Sequence, residues 1–254
     1  MDFFQAVIIG IIEGFTEFLP ISSTGHMIVA SEFLGIEESA LIKAYEVIIQ
    51  FAAILAVMLI YKEKITFKKV DLWMKLFVAF LPLAIVGFIF KDVIKTLFNV
   101  QTVAWMFIIG GLVFLVVEYF YEEKKAHVMH VEKVNYKQAL WVGIAQIFSL
   151  VPGMSRAGAT IIGGLLVGLD RKTSMEFSFL LAIPVMTAVS GYDLLKNYQD
   201  FADANWGAFV IGFITAFIVA YLTIKLFLAF IERFTFVAFG VYRIIFGVIL
   251  LMVM

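Results

Sequence analysis

Long apolar runs alternate with short polar connections along almost the whole chain. Six of these runs, as helices rising about 1.5 Å per residue, are roughly long enough to cross a bilayer core of about 30 Å. They cover residues 44–61, 76–90, 102–120, 174–194, 207–228 and 236–254. The pattern therefore predicts an all-α polytopic membrane protein with six transmembrane helices.

Two further apolar regions, residues 3–35 and 136–169, are each interrupted by polar residues and a proline. Each has a long apolar arm followed by a short one, MIVASEFLG or IIGGLLVGL. A short arm would reach only about 14 Å as a helix, so it cannot cross the membrane alone. We therefore expect two re-entrant helix hairpins, whose irregular backbone is tolerated at depth only within protein or beside a wet cavity.

The two hairpin regions are related by an offset of 133 residues, which indicates an internal duplication. The matches include Gln5 with Gln138, Gly10 with Gly143, Phe15 with Phe148, Ser22 with Ser155 and Gly25 with Gly158. We expect one membrane domain over residues 1–254, made of the repeat halves 1–120 and 135–254. Each half would hold one hairpin and three spans, an odd number, so the halves are predicted to be inverted relative to each other.

The distribution of Lys and Arg predicts the orientation. If both motif regions are hairpins, one face receives thirteen basic residues and the other four, whereas two full crossings would give ten and seven. Cytoplasmic loops concentrate Lys and Arg, so the stronger asymmetry favours hairpins and places both termini outside. The first hairpin then enters from the outer face, and we expect the site to open there.

Composition agrees with this class and excludes several others. The chain is 63% hydrophobic and 15% charged, with a mean hydropathy of +1.02. It has no Cys, which excludes disulfides, thiolate metal sites and a Cys nucleophile. A net charge of −1 argues against a nucleic-acid partner.

The first hairpin carries two acids, Glu13 and Glu17, which lie one helical turn apart on the same face. Unpaired in an apolar setting, the two carboxylates would repel each other, and one would take up a proton. An Arg, a bound phosphate or a divalent cation would resolve the repulsion, and Mg²⁺ and Ca²⁺ both prefer oxygen ligands. We predict that the two acids bind Mg²⁺ or Ca²⁺; a protonated pair in a polar core is the alternative.

The segment Ser22–His26, SSTGH, offers hydroxyl nucleophiles and a titratable base within five residues. Hydroxyls and free backbone N–H groups at a helix start also form an anion site. The alternative for any one hydroxyl is simple N-capping of the short helix. The residues predicted to bind phosphate are Ser22, Thr24, Gly25, Ser155, Gly158 and Thr160.

The turn of the second hairpin, PGMSRAGAT, is rich in glycine and carries Arg156. Its backbone N–H groups and a bidentate guanidinium would suit a phosphate group. A structural ion pair between Arg156 and Glu13 or Glu17 is the alternative. Both arrangements draw the second hairpin toward the acids of the first.

Polar residues in the predicted spans are given supporting roles. Glu46 and Glu176 each open the first full span of a half, and Gln50 follows Glu46 by one turn. These three side chains either support the central site or, for the acids, merely begin a helix, where the dipole favours them. Arg243, in the last span, is expected to snorkel or to pair within the bundle.

Two strings carry a resemblance to a known family. EGFTEFLPISSTGH and PGMSRAGAT closely resemble the two signature motifs of the bacterial undecaprenyl-pyrophosphate phosphatases, the bacitracin-resistance type. The segments YEVIIQ and EFSFLLAIP extend the resemblance over essentially the whole chain. It implies a multi-pass enzyme of the bacterial inner (plasma) membrane that removes the terminal phosphate of undecaprenyl pyrophosphate. That reaction recycles the lipid carrier of peptidoglycan synthesis.

The resemblance also implies roles for particular residues. The positions that match the family motifs are Glu13, Glu17, Ser22, Ser23, Thr24, His26 and Arg156. We expect Ser23 to attack the phosphorus, with His26 or Glu17 as base and Arg156 as the counter-charge. Attack by Ser22 or directly by water remains an alternative. Ala157 departs from the family, which commonly has Ser there, so no hydroxyl contact is available at that position.

Transport is the rival function, because carriers share inverted repeats with hairpins that meet at the midplane. A lipid-phosphate or ion transporter could use the same residues. The partners expected for the chain are the polyprenyl diphosphate and membrane lipid, and a homodimer is left open.

Overall fold

The computed structural model describes residues 1–37, 39–196 and 205–253. Within these ranges the chain forms helices joined by turns and loops, and its β-structure is one isolated bridge, Val128 with Leu169. The helices are α1 Phe3–Thr16, α2 Ser23–Phe33, α3 Ala40–Ile60, α4 Val70–Ile89, α5 Lys91–Thr96, α6 Val100–Phe120, α7 Tyr136–Gln146, α8 Arg156–Leu166, α9 Arg171–Lys196, α10 Trp206–Ile231 and α11 Val237–Val253. Short 3₁₀ turns lie at Glu123–Lys125, Val131–Lys133 and Ile147–Leu150. The all-α class is confirmed.

Five helices within the described ranges are long and apolar enough to span a membrane, namely α3, α4, α6, α9 and α10. The sixth predicted span, 236–254, corresponds to α11, which has 17 residues and reaches about 25 Å; residue 254 lies outside the described ranges. The short helix α5 was not predicted.

The spans begin earlier than hydropathy alone predicts, because charged residues in their first turns have partners. In α4, Lys75 forms an ion pair with Asp71 at 2.5 Å and donates to the carbonyl of Glu132 at 3.0 Å. In α9, Arg171 forms ion pairs with Glu118 and Glu123. Helices α4 and α9 therefore begin with charged turns that precede the apolar runs.

The two motif regions each form a pair of short helices joined by a turn. Pro20 lies between α1 and α2, and Pro152 lies between α7 and α8, where neither proline interrupts a helix. The second helix of each pair starts at an N-cap serine with positive φ, 71° at Ser22 and 74° at Ser155. A positive φ is uncommon for a residue other than glycine, so this shared conformation supports the duplication.

The offset of 133 residues is repeated in the hydrogen bonds that tie each pair of helices. The Nε2 atom of Gln5 donates to the carbonyl of Leu34 at 3.2 Å. The Nε2 atom of Gln138 donates to the carbonyl of Val167 at 3.0 Å. Each glutamine also closes a capping box at the start of its own helix. The same two bonds thus fix the long and short arms in both regions.

Each pair of short helices packs against a helix from the other half of the chain. Helix α1 lies on α10, where a Cβ atom at Gly10 would come within 2.8 Å of the Gly212 carbonyl. Helix α7 lies on α4, where a Cβ atom at Gly143 would come within 2.3 Å of the Ala79 carbonyl. Glycine is required for these close backbone approaches. Because each pair packs on a helix of the other half, the two halves interlock and their two turns come together.

Candidate active site

The turns that follow α1 and α7 line a shared polar cavity of about 170 Å³. A water molecule occupies about 30 Å³, so the cavity is wide enough for a phosphate-sized group. The polar residues that line it are Glu17, Ser22, Ser23, Thr24, Gln50, Ser149, Ser155 and Arg156. Both halves of the chain therefore contribute to one site, as the duplicated motifs predict.

Glu17 stands at the centre of this site and contacts both halves. The Oγ atom of Ser23 donates to Oε2 of Glu17 at 2.5 Å. The Nη2 atom of Arg156 donates to Oε1 of the same carboxylate at 2.8 Å. The ion pair that was the alternative to phosphate binding is thus present. It links Arg156 to a serine hydroxyl of the first motif region through one carboxylate.

Arg156 is anchored through one nitrogen and has an unpaired donor at another. Its Nη1 atom donates to the carbonyl of Ser178 at 3.0 Å, while its Nε–H is buried and has no hydrogen-bond partner among the described residues. A guanidinium with a vacant donor beside a polar cavity suits an oxyanion. Ser178 was not found from the sequence, because its contribution is a backbone carbonyl and leaves no side-chain signal.

The two adjacent serines have different roles. The Oγ atom of Ser22 accepts from the backbone N–H of Gly25 at 3.4 Å, and Ser155 accepts from Gly158 at 3.0 Å. Both are helix N-caps, so the capping alternative holds for these two hydroxyls. Ser23 instead directs its hydroxyl proton at a carboxylate, which is the arrangement of an activated nucleophile.

Glu13 is completely buried, and neither of its carboxylate oxygens has a hydrogen-bond partner in the described part of the chain. The charged side chains that interact electrostatically with Glu13 are the acids Glu17 and Glu46, which repel its charge, and Arg156, which attracts it. A buried carboxylate without a partner is costly, and its free oxygens suit a hard cation. Among the described residues, no three His, Cys, Asp or Glu side chains lie close enough together to hold a metal ion. A cation here would therefore take its other ligands from phosphate or water.

The second half lacks the acids at the matching positions. Gln146 corresponds to Glu13, and it is also fully buried with an amide that has no partner among the described residues. Leu150 corresponds to Glu17 and Arg156 to Ser23. One half therefore supplies the negative groups and the hydroxyl, and the other supplies the positive charge.

His26 does not contact Ser23 in the described structure. Its Nδ1 atom lies 2.8 Å from the carbonyl of Ser22, and its Nε2 atom lies 2.6 Å from the hydroxyl of Tyr242. The imidazole stacks on Tyr242 and Phe246. It lines a second, almost wholly apolar cavity of about 640 Å³, which shares no lining residue with the polar one.

Comparison with known proteins identifies the family of this chain. A family model described as bacitracin resistance protein BacA matches residues 6–249. The chain belongs to the BacA family. A protein of Sulfurovum sp. (strain NBC37-1) named undecaprenyl-diphosphatase is 80% identical over 254 residues, which is 100% of both chains.

Two further relatives of the BacA chain carry similar names. The undecaprenyl-diphosphatase of Sulfurimonas denitrificans is 64% identical over 253 residues, 99% of each chain. The undecaprenyl-diphosphatase 2 of Pseudoalteromonas translucida is 60% identical over 251 residues, 99% of this chain and 98% of the relative. The resemblance that the two motifs indicate is thereby confirmed.

Other residues predicted for the BacA site lie around it. Gln50 lines the polar cavity. Thr160 is fully buried and donates within α8, to the carbonyl of Arg156 at 2.9 Å. Glu176 forms an ion pair with Lys64 at 2.5 Å, and neither residue lines the polar cavity.

Of the two expectations for Arg243, the structure shows contacts within the bundle and not snorkelling. Its side chain is fully buried, and among the described residues its guanidinium donates hydrogen bonds only to backbone carbonyl oxygens. The Cζ atom also lies 5.4 Å from the centroid of the Phe107 ring. Snorkelling needs a path to the membrane surface, and here the side chain is directed into the bundle. Tyr242, its neighbour, was also missed, because nothing in the sequence joins it to a histidine 216 residues away.

Proposed function

We propose that this chain hydrolyses undecaprenyl pyrophosphate to undecaprenyl phosphate and inorganic phosphate, and so recycles the lipid carrier and confers bacitracin resistance. The observation that carries the proposal is the single carboxylate of Glu17, which contacts Ser23 and Arg156 at once. Nucleophile, base and counter-charge are thereby within reach of one phosphate. The names of the BacA relatives agree with this substrate.

In the first step, Glu17 takes the proton of Ser23 and the Oγ atom attacks the terminal phosphorus. The bond from that phosphorus to the bridging oxygen breaks, and undecaprenyl phosphate leaves. Water then attacks the phosphorus of the phosphoserine, and the bond from phosphorus to the Ser23 Oγ atom breaks. Glu17 returns its proton to Oγ, which restores Ser23 and releases inorganic phosphate. Glu17 suits the base because its Oε2 atom already accepts the Ser23 proton at 2.5 Å.

Arg156 balances the charge that develops on the transferred phosphoryl group. Phosphoryl transfer depends mainly on positioning and electrostatic stabilisation. The Nε–H of Arg156 is buried and lacks a partner among the described residues, so a phosphate oxygen bound beside it would satisfy this donor while Nη1 stays anchored on Ser178. A bound phosphate competes with Glu17 for the Nη2 atom, and this exchange frees the carboxylate to act as base.

Glu13 and Glu17 would hold a divalent cation, Mg²⁺ or Ca²⁺, at the diphosphate. When bound, such a cation supplies positive charge that offsets the phosphate oxygens. The support is the pair of unpartnered oxygens on buried Glu13. Glu13→Gln keeps the shape and removes the charge, so we expect it to raise the Mg²⁺ concentration for half-maximal phosphate release. Glu232→Gln, at an exposed acid, is the control; an unchanged Mg²⁺ requirement in Glu13→Gln would remove Glu13 as a ligand.

The membrane arrangement that we propose is an inverted repeat with two re-entrant hairpins. Helices α1 and α2 have 14 and 11 residues and are too short to cross alone. The hydrogen bonds repeated at the offset of 133 residues, and the thirteen-to-four asymmetry of basic residues, support the same topology. The site then opens to the outer face of the plasma membrane.

Purified protein in detergent, given undecaprenyl diphosphate and Mg²⁺, tests the function. Detergent removes the two sides of the membrane, so a hydrolase releases phosphate and a pure carrier does not. We expect release that requires the native site. Absence of release by correctly folded protein would contradict the proposal and favour the transport alternative.

A further inference from the structure

Arg243 makes contacts that neither the proposed chemistry nor its helix requires. Its Nη1 atom donates to the carbonyls of Pro20 at 3.0 Å and Met154 at 2.9 Å. Its Nη2 atom donates to the carbonyls of Gly153 at 2.8 Å and Met106 at 2.9 Å. One side chain from α11 therefore bonds to the turn after α1, the turn after α7 and helix α6.

These turns carry the proposed reacting groups. Pro20 lies midway between Glu17 and Ser23, and Met154 lies two residues before Arg156. Because one nitrogen bonds to both turns, the guanidinium limits how far the hydroxyl side of the site can move from the cationic side. No carboxylate lies within ion-pair distance of Arg243 in the described ranges, so carbonyl oxygens and the face of the Phe107 ring compensate its charge.

The surrounding backbone leaves a place for this guanidinium. A Cβ atom at Gly110 would lie 2.1 Å from the Nη2 atom of Arg243. Gly153, whose carbonyl accepts from Nη2, has a φ of +93°, a conformation that favours glycine. The observed contacts therefore need a residue without a side chain at Gly110 on α6, and they need the positive φ of Gly153 in the turn after α7.

We propose that Arg243 is a positioning residue that holds the two active-site turns at the separation that phosphoryl transfer requires. The inference rests on the proposed roles of Ser23, Glu17 and Arg156. Arg243 itself lines neither cavity, so its proposed role is not contact with the substrate. Its loss should therefore slow the chemical step more than it weakens binding.

Arg243→Lys tests this role, because an ammonium is a single point and cannot reach the carbonyls on which the planar guanidinium spreads. We expect kcat for phosphate release to fall about tenfold or more, with KM within about threefold of native. Arg233→Lys, at an exposed arginine, is the matched control and should keep native kinetics. Native kcat in Arg243→Lys would overturn the proposal. The same holds if the variant melts at a lower temperature but keeps native kcat while it is folded, because Arg243 would then contribute only to stability.

Gly110→Ala tests the same role without changing Arg243, since the new methyl group would displace Nη2. We expect the same loss of kcat, and the double variant Gly110→Ala with Arg243→Lys should be no slower than the slower single variant. Additive losses would show that the two residues act separately and would contradict the proposal. If Arg243→Lys does not fold, Gly110→Ala decides the question alone. Failure of the proposed chemistry is distinguishable, because it would appear as phosphate release by Ser23→Ala.

Discussion

The adjacent hydroxyls of Ser22 and Ser23 are chemically alike, but the backbone places them in different roles. Ser22 has a φ of 71° and accepts a hydrogen bond from the helix it caps. Ser23, one residue later, is in the helix and directs its proton at Glu17. The sequence predicts both as candidates and cannot separate them, because the distinction depends on one dihedral angle and on a contact across the turn.

Ser23→Ala is expected to lower phosphate release by on the order of a thousandfold or more, because it removes the attacking oxygen. Ser22→Gly is the matched control: glycine accepts the positive φ and costs only a few tenths of a kcal/mol as an N-cap. It should keep substantial activity. Both variants are to be compared by kcat and by melting temperature, and an active Ser23→Ala would remove Ser23 from the mechanism.

Glu17→Gln is expected to lose about a hundredfold or more in kcat, because an amide can accept the Ser23 hydrogen bond but cannot take its proton. His26→Gln should stay within about tenfold of native, since His26 contacts Tyr242 rather than the serine. Rate profiles over pH for the two variants check the assignment. The opposite ranking would make His26 the base.

At the scale of elements, the pattern of the sequence predicted the two short helix pairs and most spans. Proline, small residues and serine caps are local signals, so they are visible without the fold. The helix starts at Val70 and Arg171 were missed because the charges in their first turns have partners, Asp71 with Lys75 and Arg171 with Glu118 of α6. The specific contacts of His26 and Arg243 were missed because their partners are far away in sequence.

The wall formed by α1, α2, α10 and α11 around the apolar cavity suits the prenyl chain of the substrate. Val29→Trp on α2 would fill part of this cavity, so we expect KM for undecaprenyl diphosphate to rise severalfold. KM for farnesyl diphosphate, which has a much shorter chain, should change less. Val210→Trp, an exposed position on α10 outside the cavity, is the control. Equal changes for both substrates would contradict this use of the cavity.

At the scale of the whole molecule, the exchange of helices makes the halves interdependent. Helix α1 packs on α10 and α7 packs on α4, so neither half can present its turn without the other. The matching positions have diverged, with acids and hydroxyl on one side and Arg156 on the other. The two motif regions therefore form one site together rather than one site each.

Single cysteines can test the orientation, because the chain has none of its own. We expect Cys in the variant Glu37→Cys, between α2 and α3, to react with an impermeant thiol reagent on intact cells. In Thr66→Cys, between α3 and α4, it should react only after lysis. Both positions are exposed in the structure. The reverse labelling would turn the site toward the cytoplasm.

The hydrogen bond from Arg243 to Pro20 also determines when the site can be completed during synthesis of the chain. The two residues are 223 positions apart, so the ribosome completes the first turn long before it makes the side chain that fixes it. At about 5–20 residues per second, the delay is roughly ten to forty-five seconds. A nascent chain in the membrane is therefore expected to remain inactive toward its lipid until α11 is inserted.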